Sequence, residues 1–350
     1  MFKEYLHLAS LTPFQKDQVK KFNNDSNIEY KQINNCEICQ SSKLSTLFNN
    51  DRYGINQKTC ICDECNFIFS NPRMKDRSIE YFYNSDLYRL MYSGKGILSE
   101  EKLFLETLSQ QKKYKPSVPN KPNFNFHYDN LYFDFINSEI KEFDSVIDIG
   151  CGAGRKLIDF NFIGKKTHGI EPSKTYHKVH VELGLDCKIG FINDISEKYD
   201  LVMLSHVFEH LTDLKKSVKK LHSITKKYLF IEVPGHVKKL QSIQNAHNYY
   251  FSLNTLNYFF LSNKFKLIKI DYARDNEFIY ALYEKTDKET KFFFDKSSEK
   301  KIVSEIIRIY DSKYLIIKLL RSTGLEKIAR AFYSFIKRLI KKKDSKNCPF

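Results

Sequence analysis

The chain has 350 residues, 42% of them apolar, which is enough for one large domain or two to three modest ones. A formal charge of +15 favours acidic partners, among them nucleic acid, an anionic membrane face or a phosphorylated substrate, although part of it follows from a composition rich in Lys, Asn, Phe, Tyr and Ile. Polar residues between Met1 and His7 speak against a secretory leader, and no run nears the roughly 18 apolar residues of a membrane-spanning helix, so a cytoplasmic protein is expected.

Residues 1–30 carry only scattered apolar positions and read as a lead-in segment. Residues 31–75 hold five of the eight cysteines. Two C-x-x-C turns, Cys36/Cys39 and Cys62/Cys65, each present a pair of thiolates, and two such knuckles complete a tetrahedral S₄ shell for Zn²⁺. Cys60 is a spare whose spacing to Cys65 suits a knuckle less well than that of Cys62. Four sulfur ligands leave no open coordination position, so the expected zinc is structural.

Residues 76–140 read as a helical linker or cover. Leu98, Leu103, Leu105 and Leu108 recur among charges, prolines at 116, 119 and 122 mark a loop, and Tyr128, Leu131, Tyr132, Phe135, Ile136 and Ile140 give an aromatic helix.

Residues 141–287 alternate strand and helix. Strands are expected at 145–149, 167–170, 185–189, 200–204 and 228–233, which implies a parallel sheet with right-handed crossovers. Lys266–Tyr272 and Glu277–Tyr283 follow without an intervening helix and read as a hairpin. The fold class is therefore α/β: a doubly wound, mostly parallel seven-stranded sheet closed by an antiparallel hairpin, with a small zinc module before it and helices after it.

The first of these strands ends in Asp148-Ile149-Gly150-Cys151-Gly152-Ala153-Gly154 and runs into a stretch of helical spacing. Glycines there let the backbone approach a ligand, and the free N–H groups of the helix start offer donors to its polar atoms. The second strand ends at Glu171, the usual place for a carboxylate that accepts both hydroxyls of a ribose diol. Glycines at 150, 152 and 154 do not fit the G-x-G-x-x-G of a nicotinamide site.

At the carboxyl end of the fourth strand, where ligands of such sheets lie, stand His206, Glu209 and His210. Spacings of three and four would put them on one helix face, with His206 or His210 as base and Glu209 orienting it or touching the substrate. A purely structural reading competes, in which His206 caps a helix and Glu209 is an ordinary first-turn charge. His247 and Tyr249 form a second candidate pair.

From residue 288 the chain reads as a basic helical hairpin broken at Ser322-Thr323-Gly324. Thirteen Lys/Arg against three Asp/Glu between residues 300 and 343 supply +10 of the +15. Such a helix packs on its own domain, docks a partner or lies on an anionic membrane face.

The acid followed by G-x-G-x-G, the acid ending strand two, Tyr199–Leu211, Ile231–Gly235 and the His247-to-Phe265 stretch together resemble class I S-adenosylmethionine-dependent methyltransferases, in family order. The resemblance implies S-adenosylmethionine held by Asp148, Gly150, Cys151, Gly152, Gly154 and Glu171. With the Cys₄ module and the aromatic Tyr81-Phe82-Tyr83, it points to the branch that methylates sugars and related metabolites, where that aromatic stretch lies beside the active site. A nucleotide-linked sugar or surface glycan precursor is the acceptor this implies. A nucleic-acid methyltransferase is the alternative, though no RNA-binding motif is recognisable, and a non-catalytic module that retains the cofactor fold is another.

Overall fold

A computed structural model describes residues 11–84, 91, 100–116, 131–235, 243–274, 277–288, 290 and 294–325. Leu98, the linker prolines 119 and 122, Tyr128, part of the hairpin turn and the second C-terminal helix lie outside these residues.

Among the described residues, thirteen strands form three sheets: β1 (Tyr30–Lys31), β2 (Leu44–Phe48), β3 (Thr59–Cys62), β4 (Ile68–Ser70), β5 (Arg73–Met74), β6 (Ser145–Ile149), β7 (Lys166–Glu171), β8 (Cys187–Ile189), β9 (Tyr199–Ser205), β10 (Thr225–Pro234), β11 (Tyr249–Tyr250), β12 (Phe265–Ala273) and β13 (Phe278–Lys285). The principal sheet has the order β12-β13-β10-β9-β6-β7-β8. Its five central and flanking strands β10, β9, β6, β7 and β8 are parallel, and β13 and β12 close it antiparallel.

β6 is buried along Val146–Ile149, as a strand covered on both faces must be, and its β-branched run follows from that double burial. Apolar clusters fill both faces. Ile147, Val202, Leu204, Leu229 and Ile231 belong to one, and Val146, Leu201, Met203 and Phe230 to the other. The chain leaves β6 towards β7 and β8 and returns to β9 on β6's other side, so the order reverses at β6 and opens a crevice beyond the carboxyl ends of β6 and β9.

Helices α1 (Pro13–Asn23), α2 (Asp76–Asn84), α3 (Glu100–Lys112), α4 (Leu131–Glu139), α5 (Arg155–Phe162), α6 (Lys174–Glu182), α7 (Leu214–Ile224), α8 (Leu253–Leu261) and α9 (Lys296–Ser322) complete the described elements. Small polar side chains set the starts of several: Ser173 for α6, Asp213 for α7 and Ser252 for α8 each accept from a first-turn N–H. The helix expected across His206–His210 does not form. His206 has φ +55°, Phe208–His210 make a single 3₁₀ turn, and α7 begins only after Asp213.

The cysteine segment shares its sheet with the larger domain. The order β11-β4-β3-β2 places Tyr249–Tyr250, from the loop after β10, beside Ile68–Phe69. Arg73, fully buried, binds Glu37 at 2.8 Å and the Thr212 carbonyl at 2.9 Å, and donates to the Tyr249 hydroxyl. Residues Met1–Lys300 form one compact unit and Lys301–Phe350 a second; α9 ends in a turn at Thr323–Leu325, where the sequence placed its break. Among the described residues no helix is long and apolar enough to cross a membrane.

Candidate functional site

The turn between β6 and α5 is built by backbone hydrogen bonds. Gly150 N–H and Cys151 N–H donate to the Ile170 carbonyl at 2.8 and 3.3 Å, and Gly152 N–H donates to Glu171 Oε2 at 2.9 Å. Gly150 and Gly152 have φ of +67° and +53°, the left-handed region that glycine enters without strain. A Cβ on Gly150 would lie 2.5 Å from Val207 Cγ2, whereas a Cβ on Gly152 would meet nothing within 4 Å. The turn is thus packed against the protein at one glycine and leaves open space at the other.

A cavity of ≈ 320 Å³ lies against the turn, lined by Asp148, Gly150, Cys151, Gly152, Ala153, Arg155 and Lys156. Thr107, Gln110 and Gln111 of α3, Tyr176 of α6, and Ser205 and His206 at the end of β9 complete its wall. Burial pushes the Asp148 carboxyl up to about 7 against the pull of Lys156, and its Oδ1 is buried with no hydrogen-bond partner. An unpaired buried oxygen beside a cavity is what a ligand donor satisfies. Glu171 behaves differently from expectation: its oxygens accept from Gly152 N–H and Ser173 N–H (3.0 Å), and it does not line the cavity. Burial raises its pKa.

A second cluster is centred on Glu209, which is fully buried. Its Oε1 lies 3.5 Å from His206 Nδ1, 3.7 Å from His210 Nε2 and 4.0 Å from His247 Nε2. His206 Nε2 approaches Glu232 Oε1 at 3.2 Å, and Lys156 approaches the other Glu232 oxygen at 3.4 Å. The three residues predicted for catalysis are therefore brought together, through a tight turn instead of a helix face.

Their charges differ from expectation. Burial opposes charge on His206, but the negative charge of Glu209 and Glu232 close beside it outweighs that and raises its pKa to about 9, so near neutral pH it carries its proton. Burial lowers the pKa of His210, which stays neutral. His210 Nδ1 lies 2.7 Å from the Ala246 carbonyl, an acceptor only, so the proton sits on Nδ1 and Nε2 is bare. The Tyr83 hydroxyl, from α2, lies 2.9 Å from the same Nδ1, which puts the aromatic stretch singled out in the sequence against His210. Glu232, despite burial, is held well below the carboxylate range by Lys156 and His206.

Of the second candidate pair, His247 joins the Glu209 cluster, but Tyr249 is buried against Arg73 and Glu37 and belongs to the interface with the cysteine segment. Glu232 and Lys156 were missed. A carboxylate in the apolar run Ile231-Glu232-Val233 was the signal for the first; a lysine on an amphipathic helix carried none.

Cys36, Cys39, Cys62 and Cys65 converge with all four sulfurs within 4.8 Å of one another. The Cys36–Cys65 and Cys39–Cys62 separations are both 3.5 Å. Zinc–sulfur bonds of about 2.3 Å in a tetrahedron put sulfurs roughly 3.8 Å apart, so the set fits Zn²⁺ with a small expansion. Cys60 points away, towards the Asn71 carbonyl at 3.7 Å.

Strand order, glycine turn and the crevice beyond the strand ends define the class of this domain: a doubly wound α/β fold built to hold a nucleoside-bearing ligand. More particularly, residues 124–270 match the family model described as "Methyltransferase domain". Among curated proteins, the chain is similar to the ubiquinone biosynthesis O-methyltransferases of Rhodopseudomonas palustris strains BisB18 (35% identity over 89 residues, 23% of this chain and 35% of the relative) and TIE-1 (32% identity over 89 residues, with the same coverage). The chain spans about a third of the length of these relatives. Among solved structures it is similar to magnesium protoporphyrin IX methyltransferase from Synechocystis PCC 6803 with bound SAH, at 14% identity and TM-score 0.40, covering 61% of this chain and all of the other. A SAM-dependent methyltransferase from Archaeoglobus fulgidus aligns at 20% identity and TM-score 0.37, covering 45% of this chain and 92% of the other.

Proposed function

We propose that the chain is an S-adenosylmethionine-dependent methyltransferase whose cofactor lies in the cavity against Asp148–Lys156 and whose acceptor lies towards Glu209. The observation that carries the reading is the juxtaposition of two unlike sites: a glycine turn with open space at Gly152, and a buried carboxylate–imidazole cluster that shares His206 with the same cavity wall. The match to a methyltransferase-domain model supports the choice among nucleoside-bearing ligands.

Methyl transfer from a sulfonium is an in-line displacement, and the cofactor supplies the electrophile. The protein must align the acceptor, increase the nucleophilicity of its oxygen and exclude water. Asp148, whose Oδ1 has no hydrogen-bond partner, would accept from the cofactor, and the open space at Gly152 would admit it close to the turn. Glu171, which braces Gly152 N–H, shapes the turn, and rotation about its side chain would bring it to a ribose diol. The acceptor becomes nucleophilic at the Glu209–His210 pair, while the charged His206 between Glu209 and Glu232 keeps the two carboxylates compatible. Zn²⁺ on the four cysteines would hold the loop that presents Glu37 to Arg73, and so the β4–β11 pairing beside the acceptor site.

A small-molecule hydroxyl is in keeping with the relatives named as ubiquinone biosynthesis O-methyltransferases. A sugar acceptor, such as a nucleotide-linked sugar, is our specific proposal; the basic stretch after residue 300 is proposed as a contact for an anionic membrane face. The test is incubation with methyl-labelled cofactor and a cell extract, followed by fractionation into small-molecule, lipid and polymer pools. Label in the small-molecule pool is the expected result. Label in RNA, or none in any pool, contradicts the reading.

A further inference from the structure

We propose that Glu209, His210 and His247 bind a divalent first-row transition metal. Both Glu209 oxygens are buried without a hydrogen-bond partner. The His210 Nδ1 lies 2.7 Å from the Ala246 carbonyl, which leaves Nε2, 3.7 Å from Glu209 Oε1, as the ring atom turned into the cluster. A fully buried carboxylate with no hydrogen-bond partner beside imidazole nitrogens is what a bound cation satisfies. His206 does not resolve this, because it is nearer to Glu232 (3.2 Å) than to Glu209 (3.5 Å) and one imidazolium is shared by two carboxylates.

One ligand atom each from Glu209, His210 and His247 lies within 4.8 Å of the others. A cation about 2.1 Å from every donor brings them to roughly 3.0–3.4 Å, a contraction of a few tenths of an ångström for the His210 pair. Two imidazoles and one carboxylate suit Mn²⁺, Fe²⁺ or Zn²⁺. The donors are also held from behind. Asn248 donates to the carbonyls of His210 (2.9 Å) and Leu211 (3.1 Å), the Glu209 carbonyl accepts from Asn248 N–H at 2.8 Å, and Gln244 donates to His247 Nε2 at 2.5 Å, a bond the metal would replace. Three protein donors leave at least one coordination position. Resting on the methyltransferase reading, the inference sharpens it: the acceptor is a hydroxyl whose oxygen would complete the shell, its proton passing to solvent at the partly exposed edge of the cluster as the O–CH₃ bond forms and the S–CH₃ bond of the sulfonium breaks.

The test is titration of Mn²⁺ into the zinc-loaded full chain, following loss of the free-ion paramagnetic resonance signal, with binding of S-adenosylhomocysteine measured separately by calorimetry. Mn²⁺ is a poor thiolate partner, so the cysteine site does not contribute. One Mn²⁺ per chain is expected in the wild type. Glu209→Gln and His247→Asn should weaken it by more than the roughly 10–100-fold seen when only an outer partner of a metal ligand is lost. His247→Asn, at the edge of the cluster, serves as the second variant should Glu209→Gln fail to fold. A wild type that binds S-adenosylhomocysteine but leaves millimolar Mn²⁺, Fe²⁺ and a second Zn²⁺ free overturns the metal site and leaves the methyltransferase reading intact. Unchanged Mn²⁺ affinity in both variants also overturns it. Mn²⁺ bound without S-adenosylhomocysteine supports the site and counts against the cofactor reading.

Discussion

Gly150→Ala and Gly152→Ala separate what the turn does for the fold from what it does for a ligand. Both place a Cβ at positive φ, which costs about 1–2 kcal/mol in the left-handed region. At Gly150 the new carbon also lies 2.5 Å from Val207 Cγ2, on the segment that leads to Glu209, and forcing a methyl into packed structure costs about 1–3 kcal/mol more. At Gly152 no protein atom lies within 4 Å, so only the strain applies. Crowding by the protein is thus not what demands glycine there: the positive φ is, and in the complex proposed above the ligand's own volume would add to it. Denaturant unfolding should place Gly150→Ala about 2–5 kcal/mol below wild type and Gly152→Ala about 1–2 kcal/mol below. Calorimetry should show Gly152→Ala, though the better folded of the two, losing S-adenosylhomocysteine binding. Equal destabilisation of the two variants would refute the packing argument, and wild-type affinity in Gly152→Ala would refute the ligand argument.

Metal analysis should find zinc lost from a Cys36→Ser/Cys39→Ser variant and retained by Cys60→Ala, because the Cys60 sulfur is turned to Asn71; zinc loss in Cys60→Ala would show that the ligand set is wrong. His206 has its folded pKa raised to about 9 from an ordinary 6.5, so its contribution to stability is complete below about pH 6.5 and disappears as pH rises through 9. Since 39% of its side chain is exposed, solvent screens the effect, but wild type should lose more stability than His206→Gln between pH 6.5 and 10; parallel profiles would contradict the pairing with Glu209 and Glu232. Tyr83→Phe removes the hydroxyl at His210 Nδ1 and should lower kcat while leaving the cofactor Kd unchanged. An unaltered kcat would mean that α2 only packs against the site.

Much of the sheet was legible because its physics is local. The β-branched run of β6 marks a strand buried on both faces, the glycines mark its turn, and β12 followed by β13 with no helix between them is a hairpin on spacing alone. The cysteine spacing likewise singled out four residues whose sulfurs converge in the fold. What spacing could not give was anything set by long-range contact. His206, Glu209 and His210 were expected to share a helix face, yet they meet because His206 enters the left-handed region and the chain makes one 3₁₀ turn around a buried carboxylate. Glu232, 23 residues after Glu209, joins it in raising the pKa of His206, and the parallel pairing of β9 with β10 brings it there. Tyr249 looked like a site residue because it follows His247, but β11 begins only at Tyr249, where the chain pairs with β4 and the ring packs against Arg73 in the cysteine segment.

The most direct test of the central claim is calorimetric titration of the purified chain with S-adenosylmethionine and S-adenosylhomocysteine alongside a nicotinamide dinucleotide. Saturable heat at one adenosyl ligand per chain, with none from the dinucleotide, is the predicted result. Heat from the dinucleotide and none from either adenosyl compound would contradict it.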